Sequence, residues 1–147
     1  MELYFPDKND YPALVDVWER SVRATHDFLP DAYITQLKDL LLRQYLDGVT
    51  LFCTRDVQLK ITGFAGVNRS KLDMLFIDPE HRDQGLGKQL LAHAIAHFHI
   101  RELDVNEQNP QALGFYLKHG FTVFSRSEVD GLGNPYPMLR MHLNRRA

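Results

Sequence analysis

The apolar positions of this chain change their period several times, and each change predicts an element. In "YPALVDVWERSV", Leu14, Val15, Trp18 and Val22 recur at the three- and four-residue spacing of one helical face. Pro30 interrupts that pattern. "DAYITQLKDLLLRQYLDG" then reads as a second helix, with Asp31 as its N-cap and Gly48 as its stop. Strands are expected at "VTLFCT", "QLKITGFAGV" and "KLDMLFI", the last closed by Asp78–Pro79 because proline offers a ladder no donor. "HRDQGLGKQLLAHAIAHF" turns into a third helix, with Leu86, Leu90, Leu91, Ala94, Ile95 and Phe98 at helical spacing. "ELDVN" is a short strand, Pro110 suits the first turn of the helix "PQALGFYLKH", and Gly120 ends it. "FTVFSRSEV" and "PMLRMHL" close the chain as two strands around the turn-rich "DGLGNPYP".

The order helix, helix, three strands, helix, strand, helix, two strands predicts an α/β (α+β) mixture with a largely antiparallel first half, unlike a regular βαβ wind. With 147 residues and no repeat, low-complexity stretch or long linker, the expected organisation is one domain over residues 1–147. Apolar residues at 44% and charged residues at 24% fit a globular protein. A net charge of −2 gives no sign of bulk binding to nucleic acid or to an anionic membrane. "MELYFPDKND" lacks the basic and then apolar regions of a secretory signal, and no apolar run approaches the roughly 18 residues of a membrane span. The single cysteine, Cys53, sits in an apolar strand and reads as a core thiol. Together these features point to the cytoplasm.

Gly85 and Gly87 bare the backbone at a predicted helix start, where N–H groups lack partners and the dipole favours an anion. "RDQGLGK" therefore suits a phosphate or pyrophosphate, with Arg82 and Lys88 adding charge; a turn that only caps the helix is the other reading. Two common phosphate loops fail here. A P-loop needs Ser or Thr after its lysine, where Gln89 stands, and the dinucleotide fingerprint needs a third glycine, where Leu90 stands. His93 and His97, four apart, lack the third ligand of a metal site and read as exposed polar positions.

The order strand, Asp-Pro, RxxGxG, helix resembles motif A of the GNAT superfamily of N-acetyltransferases. "LDVNEQNPQALGFYLKHGF" resembles the later strand and helix of the same family, with Asn109, Ala112, Tyr116 and Gly120-Phe121 in order. The match covers residues 60–143 well. It reaches less surely into the N-terminal helices, where "SVRATHDFL" is similar to the small single-domain bacterial branch. The resemblance implies an acyl-CoA N-acyltransferase fold: a mixed, mostly antiparallel central sheet, splayed between its two middle strands, with helices on both faces. It implies acetyl-CoA as cosubstrate, its pyrophosphate held by main-chain N–H groups of Asp83, Gln84, Gly85, Leu86, Gly87 and Lys88. Its pantetheine arm would lie along the strand edge at Leu75, Phe76 and Ile77, and one N–H of that edge would point at the thioester oxygen. Asn109 would contact the arm, serve as the N-cap before Pro110, or do both. Tyr116 matches the tyrosine that protonates the departing sulfur.

The base is open. Asp104 occupies the position where some relatives carry a glutamate base, and alternation puts it with Asn106 on one strand face, Leu103 and Val105 on the other. Asp73, His26, Asp27 and Glu107 are its rivals. The acceptor pocket is expected between the first two helices and the last hairpin, lined by His26, Phe28, Tyr33 and Tyr136. Asp27, Asp31 and Asp130 suit a cationic amine or are ordinary surface charge. The expected reaction is acetyl transfer to a primary amine, either a protein lysine or N-terminus or a small molecule, by a monomer or homodimer. No metal is needed, and no nucleic acid or membrane partner is expected. The rival readings are a non-catalytic acyl-CoA sensor and a nucleotide-phosphate binder of another kind.

Overall fold

Alternation along the middle strands decides where the core forms. In the computed structural model, which describes residues 2–144, the chain divides into two compact units, Met1–Ile100 and Arg101–Ala147. The first holds α1 (Tyr11–Thr25), α2 (Asp31–Leu40), β1 (Thr50–Arg55), β2 (Ile61–Asn68), β3 (Lys71–Ile77) and α3 (Leu86–Phe98). Its strands form an antiparallel meander, with Cys53 opposite Phe64 and Phe64 opposite Phe76. Leu51, Cys53, Phe64 and Met74 fall on one face and pack with Leu14, Val15, Trp18 and Val22 of α1 and Ile34 of α2. Phe52 on the opposite face stacks on Phe98 of α3, with ring centroids 5.2 Å apart. Helices on both faces explain why β2 is buried at seven consecutive positions.

The second unit holds β4 (Glu102–Asn106), α4 (Pro110–Lys118), β5 (Phe121–Ser127) and β6 (Met138–Leu143). β6 pairs antiparallel with both β4 and β5. Leu103, Val105, Leu139 and Met141 form its buried face, while Asp104 and Arg140, directly opposite one another, lie on the other.

Four sequence expectations need correction, each for a local reason. Asp31 is not the N-cap of α2. Pro30 holds that position, and the Asp31 carboxylate meets Arg23 Nη1 at 2.6 Å. The second helix does not run evenly to Gly48: Leu41–Tyr45 winds as a π turn and Leu46–Gly48 as a 3₁₀ turn. The wider turn brings Leu46, five residues after Leu41, into the core, where both are buried. β2 starts at Ile61 rather than Gln58, because Asp56 Oδ1 accepts from Gln58 N–H at 2.8 Å and Lys60 N–H at 3.0 Å and makes a turn. β5 stops at Ser127, whose hydroxyl accepts from Val129 N–H and donates to Val129 C=O. Cys53 is the expected core thiol: it is fully buried, and burial raises its pKa to about 12.

Two glycines give a paired stability test. A Cβ on Gly66 would sit 2.9 Å from Cγ2 of the stiff Val49 side chain, whereas one on Gly48 would meet nothing within 4 Å. In urea melts, Gly66→Ala is expected to cost about 1–3 kcal/mol by overpacking. Gly48→Ala is expected to be neutral or to stabilise by roughly 0.4–1 kcal/mol.

Candidate active site

α3 begins where it does because Gly85 adopts φ 78°, ψ 10°, a left-handed conformation open to glycine at little cost. Glycine brings no side-chain cap. The first α3 amide bonded back to the turn is Gln89 N–H, 3.0 Å from Gly85 C=O. The N–H groups of Leu86, Gly87 and Lys88 come before it, at the positive end of the helix dipole. Asp83 is also left-handed, with φ 61°, and Asp83, Gln84 and Gly85 are exposed. The turn therefore presents main-chain donors to solvent, with half-buried Arg82 and exposed Lys88 at its two ends. These features fit a diphosphate.

Upstream of the turn, register decides which backbone groups of β3 are available. Asp78 N–H donates to Thr62 C=O at 2.8 Å, so residues 62 and 78 form a hydrogen-bonded pair. Antiparallel alternation then turns Phe76 and Met74 toward β2, and turns the N–H and C=O groups of Leu75 and Ile77 away from it. Phe76 is thereby removed from the expected main-chain edge. Its ring instead packs edge-on to Trp18, 6.5 Å away, and against Phe64 at 5.8 Å. The main-chain groups of Leu75 and Ile77 face away from β2.

Tyr116 and Asn109 belong to the second unit. Tyr116 is 8% exposed, with its ring 6.0 Å from Phe121 and 5.3 Å from Phe115. Like any tyrosine it is protonated at neutral pH, and burial alone drives its phenol further above the usual tyrosine range. Asn109 caps α4: its Oδ1 accepts from Ala112 N–H at 3.3 Å, and its side-chain NH₂ remains a donor.

The candidate bases are mostly engaged elsewhere. Asp104 Oδ1 accepts from Arg140 Nε at 3.1 Å. Glu107 takes Arg126 by two oxygens, at 2.6 and 3.1 Å, and those hydrogen bonds hold its carboxyl below the usual range. Asp73 is the extra residue of a β-bulge in β3, lying between the pairs Val67–Leu72 and Gly66–Met74. Of the acidic residues suited to a cationic amine, Asp31 is bound to Arg23, and Asp130 Oδ1 accepts from Leu132 and Asn134 N–H to shape its own turn. Asp27 is exposed.

The expected acceptor lining splits in the same way. His26 and Tyr33 are buried, while Phe28 and Tyr136 are half-buried. His26 packs 5.3 Å from Phe28, and its Nδ1 lies 2.7 Å from Thr25 Oγ1. The Thr25 hydroxyl lies 2.9 Å from Ser21 C=O, so Thr25 bridges the α1 backbone and the imidazole. His93 is not the free polar residue expected. Its ring packs 4.9 Å from Phe52 and 4.3 Å from His97, and burial first, then the His97 charge, lowers its pKa. Among the described residues, no three His, Cys, Asp or Glu side chains form a group that could hold a metal ion.

Sequence reasoning missed Arg20 altogether and took Asp78 only as a strand stop. Asp78 is fully buried and receives Arg20 Nη2 at 2.6 Å. The signal available was an arginine on α1 one turn after Asp16, its partner at 3.2 Å.

Burial depresses the His26 pKa, so below about pH 6.5 the unfolded chain takes the proton more readily than the folded one. This contribution to stability is present above that pH and is lost as pH falls through it. Urea melts at pH 7.5 and 5.5 should show lower stability at 5.5. His26→Gln should flatten part of that slope, His93 contributing the rest with the same sign.

Residues 23–143 match the family model described as an acetyltransferase (GNAT) domain, a span that runs through both units. The peptidyl-lysine N-acetyltransferase YjaB of Salmonella typhimurium is 46% identical over 128 residues, covering 87% of this chain and 88% of that protein. The solution structure of apo YjaB from Escherichia coli superposes with a TM-score of 0.87 at 42% identity, over 96% of this chain and 95% of that one. The Thermoplasma acidophilum PaiA N-acetyltransferase, solved with coenzyme A, shares the fold at a TM-score of 0.73 and 21% identity, over 95% and 96% of the two chains. The chain belongs to the GNAT acetyltransferases: it is an enzyme that takes acetyl-CoA as cosubstrate and moves the acetyl group to an amine.

Proposed function

We propose that the acceptor is the ε-amine of a lysine in a protein or peptide, and that Tyr116 is the general acid. The observation that carries the substrate is the 46% identity, over 87% of the chain, to a relative named for acetylating peptidyl lysine. The uncapped turn at Gly85–Lys88 supports diphosphate binding through main-chain N–H groups, and the outward N–H groups of Leu75 and Ile77 support pairing with the pantetheine amides. One of these strand amides serves as the oxyanion donor, a fixed dipole that needs no reorganisation during reaction.

The acceptor ammonium first gives a proton to water, because only the neutral amine has the lone pair that attacks the thioester carbon. The C–N bond forms, the C–S bond breaks, the sulfur leaves with the proton of the Tyr116 phenol, and the phenolate takes back the proton that the new, cationic amide nitrogen must lose. At their free values the phenol, near 10, and the thiol, near 8.5, differ by about 2 kcal/mol in proton affinity. Within the described residues no helix is long and apolar enough to cross a membrane. A cytoplasmic setting suits a chain whose single cysteine cannot form an internal disulfide.

Tyr116→Phe should lower kcat by roughly 10²-fold or more while coenzyme A affinity changes less than about twofold. Unchanged turnover would remove Tyr116 from the mechanism, and a gain of one acetyl mass on a lysine peptide would establish the acceptor.

Gly85→Ala separates ligand binding from folding. The new Cβ would meet nothing within 4 Å, so only the left-handed φ opposes it. The expected stability loss is about 1–2 kcal/mol. Coenzyme A affinity, measured by calorimetric titration, should fall at least about tenfold. If the unmodified chain takes up no coenzyme A, the turn is not a diphosphate site.

A further inference from the structure

Every polar group of Asp78 is used, and together they reach β2, the 3₁₀ turn that follows β3, and α1. Its N–H donates to Thr62 C=O of β2 at 2.8 Å, and its C=O accepts from His81 N–H at 2.8 Å. Its Oδ1 accepts from Glu80 N–H at 3.1 Å, capping the 3₁₀ turn Pro79–His81. Its Oδ2 accepts from Arg20 Nη2 of α1 at 2.6 Å, and His81 Nδ1 stands 3.7 Å from the same oxygen. The side chain is fully buried, and Arg20 is held from its other side by Asp16 Oδ2, 3.2 Å from its Nε. This residue thus ties β2, the end of β3, the 3₁₀ turn and α1 together at one point.

The point lies between two groups of main-chain donors. Ile77, the residue before it, turns its N–H outward, and Arg82, four residues after it, opens the exposed turn that ends at Gly85. That turn is held at its far end by α3 and at its near end by the Asp78 junction. The distance from the Ile77 amide to the open amides of Leu86, Gly87 and Lys88 thus depends on how the junction is held.

We infer that Arg20 and Asp78 are positioning residues for acetyl-CoA: the ion pair between the half-buried Arg20 and the buried Asp78 sets the spacing between the thioester end and the diphosphate end of the cosubstrate site. The inference rests on the reading of the Gly85 turn as the diphosphate site. It also links the cosubstrate turn to α1, the helix that leads into His26 and Phe28.

A purely structural ion pair and a positioning one make different predictions once both charges are removed. Arg20→Met alone strands a buried carboxylate and should destabilise strongly. In the double variant Arg20→Met with Asp78→Asn, no charge is stranded, and the asparagine oxygen still caps Glu80 N–H. Its melting temperature should recover most of the loss. Its coenzyme A dissociation constant should nevertheless stay about tenfold or more above that of the unmodified chain, and the KM for acetyl-CoA should rise more than kcat falls. The amide resonances of Gly85 and Gly87 should shift, and their hydrogen exchange should quicken.

A double variant that binds coenzyme A within twofold of the unmodified chain, with Gly85 and Gly87 resonances unmoved, would overturn the inference. Failure of the unmodified chain to bind coenzyme A would instead sink the reading of the turn. That outcome overturns the inference as well, because it leaves no diphosphate end to position.

Discussion

The packing of one helix against three strands holds in place three amides that the helix itself cannot satisfy. Leu90, Leu91 and Ala94 of α3 are buried, and Phe98 stacks on Phe52 of β1. An apolar contact of this kind has no direction of its own, but it fixes the axis of the helix, and the axis aims the N–H groups of Leu86, Gly87 and Lys88. Because Gly85 supplies no capping oxygen, these donors stay open. Burying hydrocarbon at one end of the element thus preserves a polar site at the other.

The two units solve different problems. In the first, helices cover both faces of the meander, and the charge buried there, Asp78, has its arginine. A buried carboxylate without a partner is strongly destabilising, so the ion pair must persist wherever the fold persists. In the second, β4, β6 and β5 bury one face and leave the other to cross-strand pairs such as Asp104 with Arg140. Tyr116 is buried, which raises its phenol further above the range in which a tyrosine ionises.

Much of this was legible from residue order. The face of α1, the stop at Asp78–Pro79, the start of α3 at a glycine turn and the cap at Asn109 all follow from local rules, because each depends on neighbours within a turn or two. Errors came where a side chain competed for backbone groups: Asp56 captured two amides and shortened β2, and Ser127 ended β5. A third kind of error was positional. His93 looks like an exposed polar residue in the string, but its ring is packed among aromatic rings.

The sequence by itself determined the elements, the glycine turn and the family, since spacing of apolar residues and short motifs are properties of contiguous chain. Only the tertiary structure decided that Leu75 and Ile77, not Phe76, turn their amides outward, because that depends on which residue of β2 lies opposite. It alone paired Arg20 with Asp78 across 58 residues of sequence. Contacts between distant segments are set by how whole faces pack, and no local pattern records which polar atom the packing brings within 3 Å of another.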